Sequence, residues 1–317
     1  MVDRPDTSKT GRTAAPVAVI RPRLPLLLGG AAALTCVLFA GFTGHIWEDY
    51  FITFRSSLNL ARGHGLVYQM GERVHTFTSP LGTLLPALFA MGEGENVPVR
   101  ALWGFRLLSA LALGSALWLV TRTLLREKIT GGAILAAGLA WAFDPKVIDF
   151  SSNGMESALL IFFVALTWHG FATGTRLAPC ALGLAGLQWT RPDGGIFFAV
   201  LGVASWFFGS QVRNKPRLRA GRLWRAGMIG VALYIPWIVF AWFYYGSPVP
   251  HTILAKVSHH PAGEVAAALG LYPWRLLFGH VAAHELFLPA YHFFGGWPEA
   301  LDWPARILTV GAAVAWT

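Results

Sequence analysis

Apolar and polar residues follow one another along this chain in long blocks. Leu24 to Gly44 runs 21 residues without a charge. At 1.5 Å rise per residue a helix of that length spans roughly 30 Å, the thickness of a bilayer core. Further apolar segments lie near 101–121, 129–143, 157–175, 177–190, 194–210 and 226–247. Several of these are shorter than about 17 residues, so their boundaries are soft. Pro80–Met91 has only 12 residues, too short to cross unaided, and is expected to lie along the interface. Residues 264–304 mix apolar and aromatic stretches with His280, His284, Glu285 and His292, which fits amphipathic helices or one irregular span. Ile307 to Thr317 opens another apolar run too short to cross, which suggests that the native chain continues. The pattern predicts an all-α polytopic membrane protein with about 7–8 transmembrane helices.

Composition supports that class. The 317 residues are 55% hydrophobic and only 13% charged, where soluble domains carry about 25%. The mean hydropathy is +0.51. A net charge of +9 raises the question of nucleic acid, but the basic residues cluster between apolar runs, as cytoplasmic loops require, and no nucleic-acid partner is expected. Cys36 and Cys180 both sit in apolar runs, where packing is the default role. Zinc-type cysteine spacing, a P-loop and a GxGxxG after a strand are all absent; Gly63-His64-Gly65 is a turn signal.

Residues 1–23 are polar, with Arg4, Lys9, Arg12, Arg21 and Arg23, and read as a disordered cytoplasmic tail. The apolar run after them is too long for a signal peptide and lacks a convincing cleavage site. Residues 24–317 form the transmembrane domain, with 45–100 as its first outer loop. If Pro80–Met91 does not cross, the inner loops are 1–23, 122–130, 176 and 211–225, which hold 15 of the 25 Lys and Arg. If it crosses, the six-charge loop 211–225 lies outside, against the positive-inside rule. The first topology places 45–100, 144–156, 191–193 and the residues from 248 to about 270 on the outer face.

Those outer loops hold the unusual residues. Glu48 and Asp49 stand side by side just past the first apolar run, where a carboxylate pair costs desolvation energy unless it faces water or a cation. The pair is a catalytic candidate; the alternative is an N-cap for a juxtamembrane helix starting near Tyr50. Polar motifs at the tips of different helices on one membrane face suggest one shared site.

The stretch from Glu48 to Leu85, EDYFITFRSSLNLARGHGLVYQMGERVHTFTSPLGTLL, resembles the first outer loop of bacterial GT-C-fold polytopic glycosyltransferases, within them the arabinofuranosyltransferase-B-like group. The resemblance is carried by Glu48-Asp49, Phe51 to Arg55, Gly63 to Val67, Gly71 to Val74 and Thr78 to Leu81. Ser152 to Ser157 resembles the family's Gly-Met-Glu-Thr element, Arg191 to Gly194 its Arg-Pro-Glu-Gly element, and Pro250 to Lys256 its Pro-Asn-Thr-x-x-Ala-Lys element. It covers roughly residues 24–260. Glu48, Asp193 and His251 depart from the usual Asp, Glu and Asn, which leaves the catalytic class intact and the sugar undetermined.

The resemblance implies a GT-C-like fold in a bacterial plasma (inner) membrane, N-terminus in the cytoplasm, active site on the periplasmic or extracellular side. It implies transfer of a sugar, a pentofuranose among the candidates, from a polyprenyl-phosphate donor to a glycan, lipid or protein acceptor hydroxyl. Such an attack needs a general base, and the lipid phosphate that leaves needs cations or N–H donors. Asp49 is then the expected base, with Glu48 as its partner; the two are also the residues a divalent metal would use, and no cofactor is otherwise implied. Arg55, His64, Glu156, Arg191, Asp193, His251 and Lys256 are the substrate-binding candidates, with Arg55 and Lys256 expected to clamp the phosphate. Plainer roles stand beside these: loop shaping for His64, dipole compensation for Glu156, a local ion pair for Arg191 and Asp193. A polytopic transporter or lipid flippase is the alternative, but charged residues would then line the midplane of spans.

Overall fold

The computed structural model describes residues 23–173, 177–208, 216–258 and 307. The tail 1–22, Arg176, the loop residues 211–215 with Lys215, His259-His260 and the segment 264–304 lie outside them. Among the described residues the chain is helical, with no strand.

Helix α1 (Leu24–Thr43) has a proline in its first turn and closes on Gly44, whose φ of +61° lets its N–H bond back to Ala40. Helix α2 (Glu48–Ala61) starts with both acids in its first turn, where they offset the positive end of the helix dipole. Helix α3 (Pro80–Phe89) is capped by Ser79, whose hydroxyl accepts from the Gly82 N–H at 2.8 Å. Then follow α4 (Val97–Arg126), α5 (Gly131–Ala142), α6 (Pro145–Ser152) and α7 (Ser157–Thr173). Helix α8 (Ala178–Thr190) leads through a 3-10 turn (Pro192–Gly194) into α9 (Gly195–Phe208), and α10 (Pro216–Tyr245) precedes α11 (His251–Ser258).

Three stretches of these helices are long and apolar enough to cross a membrane: Leu24–Thr43, Val97–Arg126 and Gly221–Tyr245. Helices α6 and α7 meet at 112° and make a fourth if they are one broken span. The segment 144–156, expected as a loop, therefore contains a short helix, capped by the Asp144 carboxylate. Arg122 and Arg126, expected in a loop, are in the last turns of α4.

Helix α1 runs along α4, α4 packs on α7, α7 on α8, and α8 on α10. A Cβ on Gly29 or Gly114 would lie 2.6 Å from the other's carbonyl oxygen, so the α1–α4 contact requires glycine on both sides. Phe105, Leu113, Leu117 and Ile134 form the centre of the core. Leu34, Leu38 and Phe42 of α1 and Trp242 and Phe243 of α10 are exposed, as lipid-facing side chains would be. Helices α2 and α3 pack on each other beside α4. The described residues thus form an all-helical molecule with the apolar spans of a membrane protein.

Candidate active site

The first outer loop, the break between α6 and α7, the end of α8 and the start of α11 enclose one cavity of about 530 Å³, within the size range of ligand pockets. All four segments expected to share a membrane face thus contribute lining residues. They are Asp49, Ile52, Thr53, Tyr68 and Thr76 to Ser79 from the first, Met155 and Glu156 from the second, Arg191 from the third and Thr252 from the fourth.

Helical spacing explains how α2 serves the cavity. Asp49, Ile52 and Thr53 fall at i, i+3 and i+4 and face it. Tyr50 and Phe54 turn the other way, are buried, and stack at 5.3 Å. The start of the helix is docked on the turn between α6 and α7: the Trp47 N–H donates to the Asn153 carbonyl at 2.9 Å. Gly154 follows at φ +95°, and a Cβ there would lie 2.8 Å from the Tyr50 ring. This contact sets Asp49, which is exposed, in the same cavity as Glu156.

Glu156 is only 6% exposed. Burial pushes its carboxyl up, and the charges of Asp193 and Asp49 add to that; a hydrogen bond from its own backbone and the Arg191 charge offset part of it. Arg191 spans two carboxylates, with Nη1 3.5 Å from Glu156 Oε1 and Nε 3.0 Å from Asp193 Oδ1. The Asp193 bond is the main reason its pKa is raised. Arg191 is the one basic residue among the described residues lining the cavity. Two carboxylates, Asp49 and Glu156, line the cavity with it, and Asp193 pairs with it from outside the lining, so carboxylates outnumber the single cation.

The other candidates lie around this group. The Arg55 guanidinium rests over the Tyr68 ring at 4.7 Å and so reaches the cavity through Tyr68, which lines it. Glu48 is exposed and outside the lining. His64 is exposed between Gly63 (φ +79°) and Gly65 (φ +90°), and its N–H donates to the Asn59 carbonyl at 2.9 Å, as a residue that shapes a loop does. His251 adjoins the lining residue Thr252 and is hydrogen-bonded to His75. Lys256 is on α11, and its side chain lies outside the described residues, as does its half of the phosphate clamp. Among the described residues no group of three or more His, Cys, Asp or Glu could hold a metal ion, so Glu48 and Asp49 find no third ligand there.

Sequence reasoning missed several residues that build the site. Tyr68, Thr76 and Thr252 are neutral types. Arg106, 4% exposed in the middle of an apolar run, donates to the carbonyls of Ser152 and His45 and ties α4 to both approaches to the cavity. His45 Nδ1 meets Asp149 Oδ1 at 2.9 Å in the same junction. A charge inside a span is itself a signal, and Arg106 was visible on that ground.

No family model matches the chain, and no solved structure matches it. It is similar to the terminal beta-(1->2)-arabinofuranosyltransferase of Corynebacterium glutamicum, 28% identical over 284 residues, covering 79% of this chain and 39% of that protein. It is also similar to the protein of the same name from Mycobacterium tuberculosis, 30% identical over 234 residues, covering 67% of this chain and 35% of that protein. The chain spans less than two fifths of the length of these relatives.

Proposed function

We propose that this chain, placed by its curated relatives with an arabinofuranosyltransferase-like glycosyltransferase group, is a GT-C-like membrane glycosyltransferase of about seven to eight spans. It moves a sugar, with a pentofuranose the first candidate, from a polyprenyl-phosphate donor to a cell-envelope acceptor hydroxyl. The reaction takes place on the outer face of the plasma membrane.

The observation that carries this reading is the meeting of four segments distant in sequence in one cavity with Asp49, Glu156 and Arg191 on its walls. Asp49 is the exposed carboxylate and serves as general base. As the acceptor oxygen bonds to the anomeric carbon, its proton passes to Asp49, and the bond from that carbon to the phosphate oxygen breaks. The sugar passes through an oxocarbenium-like state that the acidic basin favours. The electron pair leaves with the polyprenyl phosphate, and Arg191, aimed by Glu156 and Asp193, receives that charge. This assigns the phosphate contact to Arg191 first, with Arg55, behind Tyr68, in support.

The test is transfer in membranes that carry the full chain, supplied with polyprenyl-phosphate pentose or hexose labelled in the sugar. Label appearing in glycosidic linkage on an acceptor, with free polyprenyl phosphate released, is the expected result. Labelled donor that changes leaflet intact, with no new glycosidic bond, would replace the reading with a flippase.

A further inference from the structure

Beside the cavity lies a junction between two distant parts of the chain. The His75 N–H donates to His251 Nδ1 at 3.1 Å, and the His251 N–H donates to the His75 carbonyl at 2.9 Å. The next residue on each strand of this clasp, Thr76 and Thr252, lines the cavity. The clasp therefore sets the position of both threonines and the direction in which α11 leaves.

One half of the clasp is backbone to backbone, and the other depends on a side-chain acceptor. An imidazole nitrogen accepts only when it carries no proton, so this bond requires the neutral ring with its proton on Nε2. A protonated ring would turn an N–H toward the His75 N–H. We propose that His251 is a positioning residue of this cavity: its neutral ring holds the first outer loop against the segment after α10, and its protonation releases that loop. The proposal rests on the reading of the cavity as the transfer site only for its consequence on activity, not for the clasp itself.

The groups around the junction leave His251 as its switching member. The His75 ring is 1% exposed and stacks on Tyr245 at 4.5 Å. Burial first, and then the neighbouring His251, push it down to about 4, so it stays neutral in mild acid. The Tyr245 hydroxyl donates to the Leu66 carbonyl at 2.6 Å, and Tyr244 accepts from the Leu66 N–H at 3.2 Å. Arg73 lies over the Tyr244 ring at 4.8 Å. Across the cavity from Thr252 stand Asp49, Glu156 and Arg191, and Lys256 is on the same helix as His251. Glu156, whose carboxyl is pushed up, takes part in neither bond of the clasp, which leaves the imidazole of His251 as the group whose protonation would break it.

Asparagine supplies the control. Its Oδ1 stands at the same branch of the side chain as Nδ1 of histidine and accepts at every pH. The experiment is hydrogen exchange of the 70–80 segment in the full chain in detergent, corrected for intrinsic rates, at pH 7.5 and 5.5. It compares wild type, His251→Asn and His251→Ala. Wild-type protection of the His75 N–H should be lost at the lower pH, because a protonated ring offers it no acceptor. His251→Asn should hold its protection at both values, and His251→Ala should lack it at both. Equal protection in His251→Ala and wild type, or the same pH response in His251→Asn and wild type, would overturn the proposal. If transfer is measurable, its acid limb should move to lower pH in His251→Asn. Absence of transfer in every form would count against the functional reading alone, since exchange decides the clasp.

Discussion

Arg191 is held by two carboxylates of different character, one buried and one exposed. Loss of its charge leaves Glu156 without its cation and, on the proposed mechanism, removes the phosphate contact. Arg191→Met should cost about 1.5–3 kcal/mol in donor use, roughly tenfold or more in kcat/KM for the donor. Arg191→Lys should not restore it, because a single ammonium cannot reproduce a guanidinium fork that serves Glu156 and Asp193 together. Donor kinetics at saturating acceptor would check both; an Arg191→Met enzyme with wild-type kcat/KM would free Arg191 from that role. At this scale the sequence showed Asp49, Glu156 and Arg191, because a charge beside apolar helix ends stands out. It did not show how they divide the work. The clasp of His251 was hidden because its partner is a backbone N–H 176 residues away, and no spacing rule reaches that far.

Helix α2 reaches its place through the turn at Asn153 and Gly154 together with its own buried face of Tyr50 and Phe54. Gly154→Ala combines a strained positive φ with a methyl group pressed on Tyr50. It should destabilise the protein by roughly 2–4 kcal/mol and lower activity by displacing Asp49; the melting temperature in detergent would register the first effect. The first outer loop carries a separate pH dependence. Burial pushes His75 down to about 4 in the folded protein, against about 6.5 for a free imidazole, so the unfolded loop takes up its proton first. The stability this neutral ring confers is complete above about pH 6.5 and is lost as pH falls toward 4. His75→Phe keeps the stacking and should flatten that decline in thermal unfolding between pH 7 and 4; an unchanged slope would assign the effect to another group. Most helices were legible as apolar blocks. Helix α6 was not, since eight residues that include Lys146 and Asp149 read as a loop when only hydrophobic length is counted.

At the scale of the whole molecule, four segments far apart in sequence share one cavity, which requires them to lie at one end of the bundle. The positive-inside rule predicts that this end is the outer one. Glu72 and Glu95 are exposed at this end, and Lys128, after the last turn of α4, is exposed beyond the other. Single cysteines replacing Glu72 or Glu95 should react with an impermeant maleimide on intact cells, and one replacing Lys128 only after permeabilisation. Native Cys36 and Cys180 are buried and add little background. A Lys128→Cys protein labelled from outside would invert the topology. The sequence conveyed the membrane class and the grouping of motifs because hydropathy and charge bias are summed over many residues. It conveyed the number of spans less well, because α5, α8 and α9 are each shorter than a bilayer-crossing helix and α6–α7 is bent.

Asp49 is where the residue, the helix and the whole molecule meet, and its removal tests the account most directly. Asp49→Asn keeps size and polarity at an exposed first-turn position and takes away the proposed base. The measurement is the initial rate of sugar transfer from labelled polyprenyl-phosphate pentose in membranes with matched amounts of wild-type and Asp49→Asn protein. A fall of ~10²–10⁴-fold with unchanged membrane insertion is the expected result. A rate within a few-fold of wild type would contradict the assignment of the base and with it the mechanism built on this cavity.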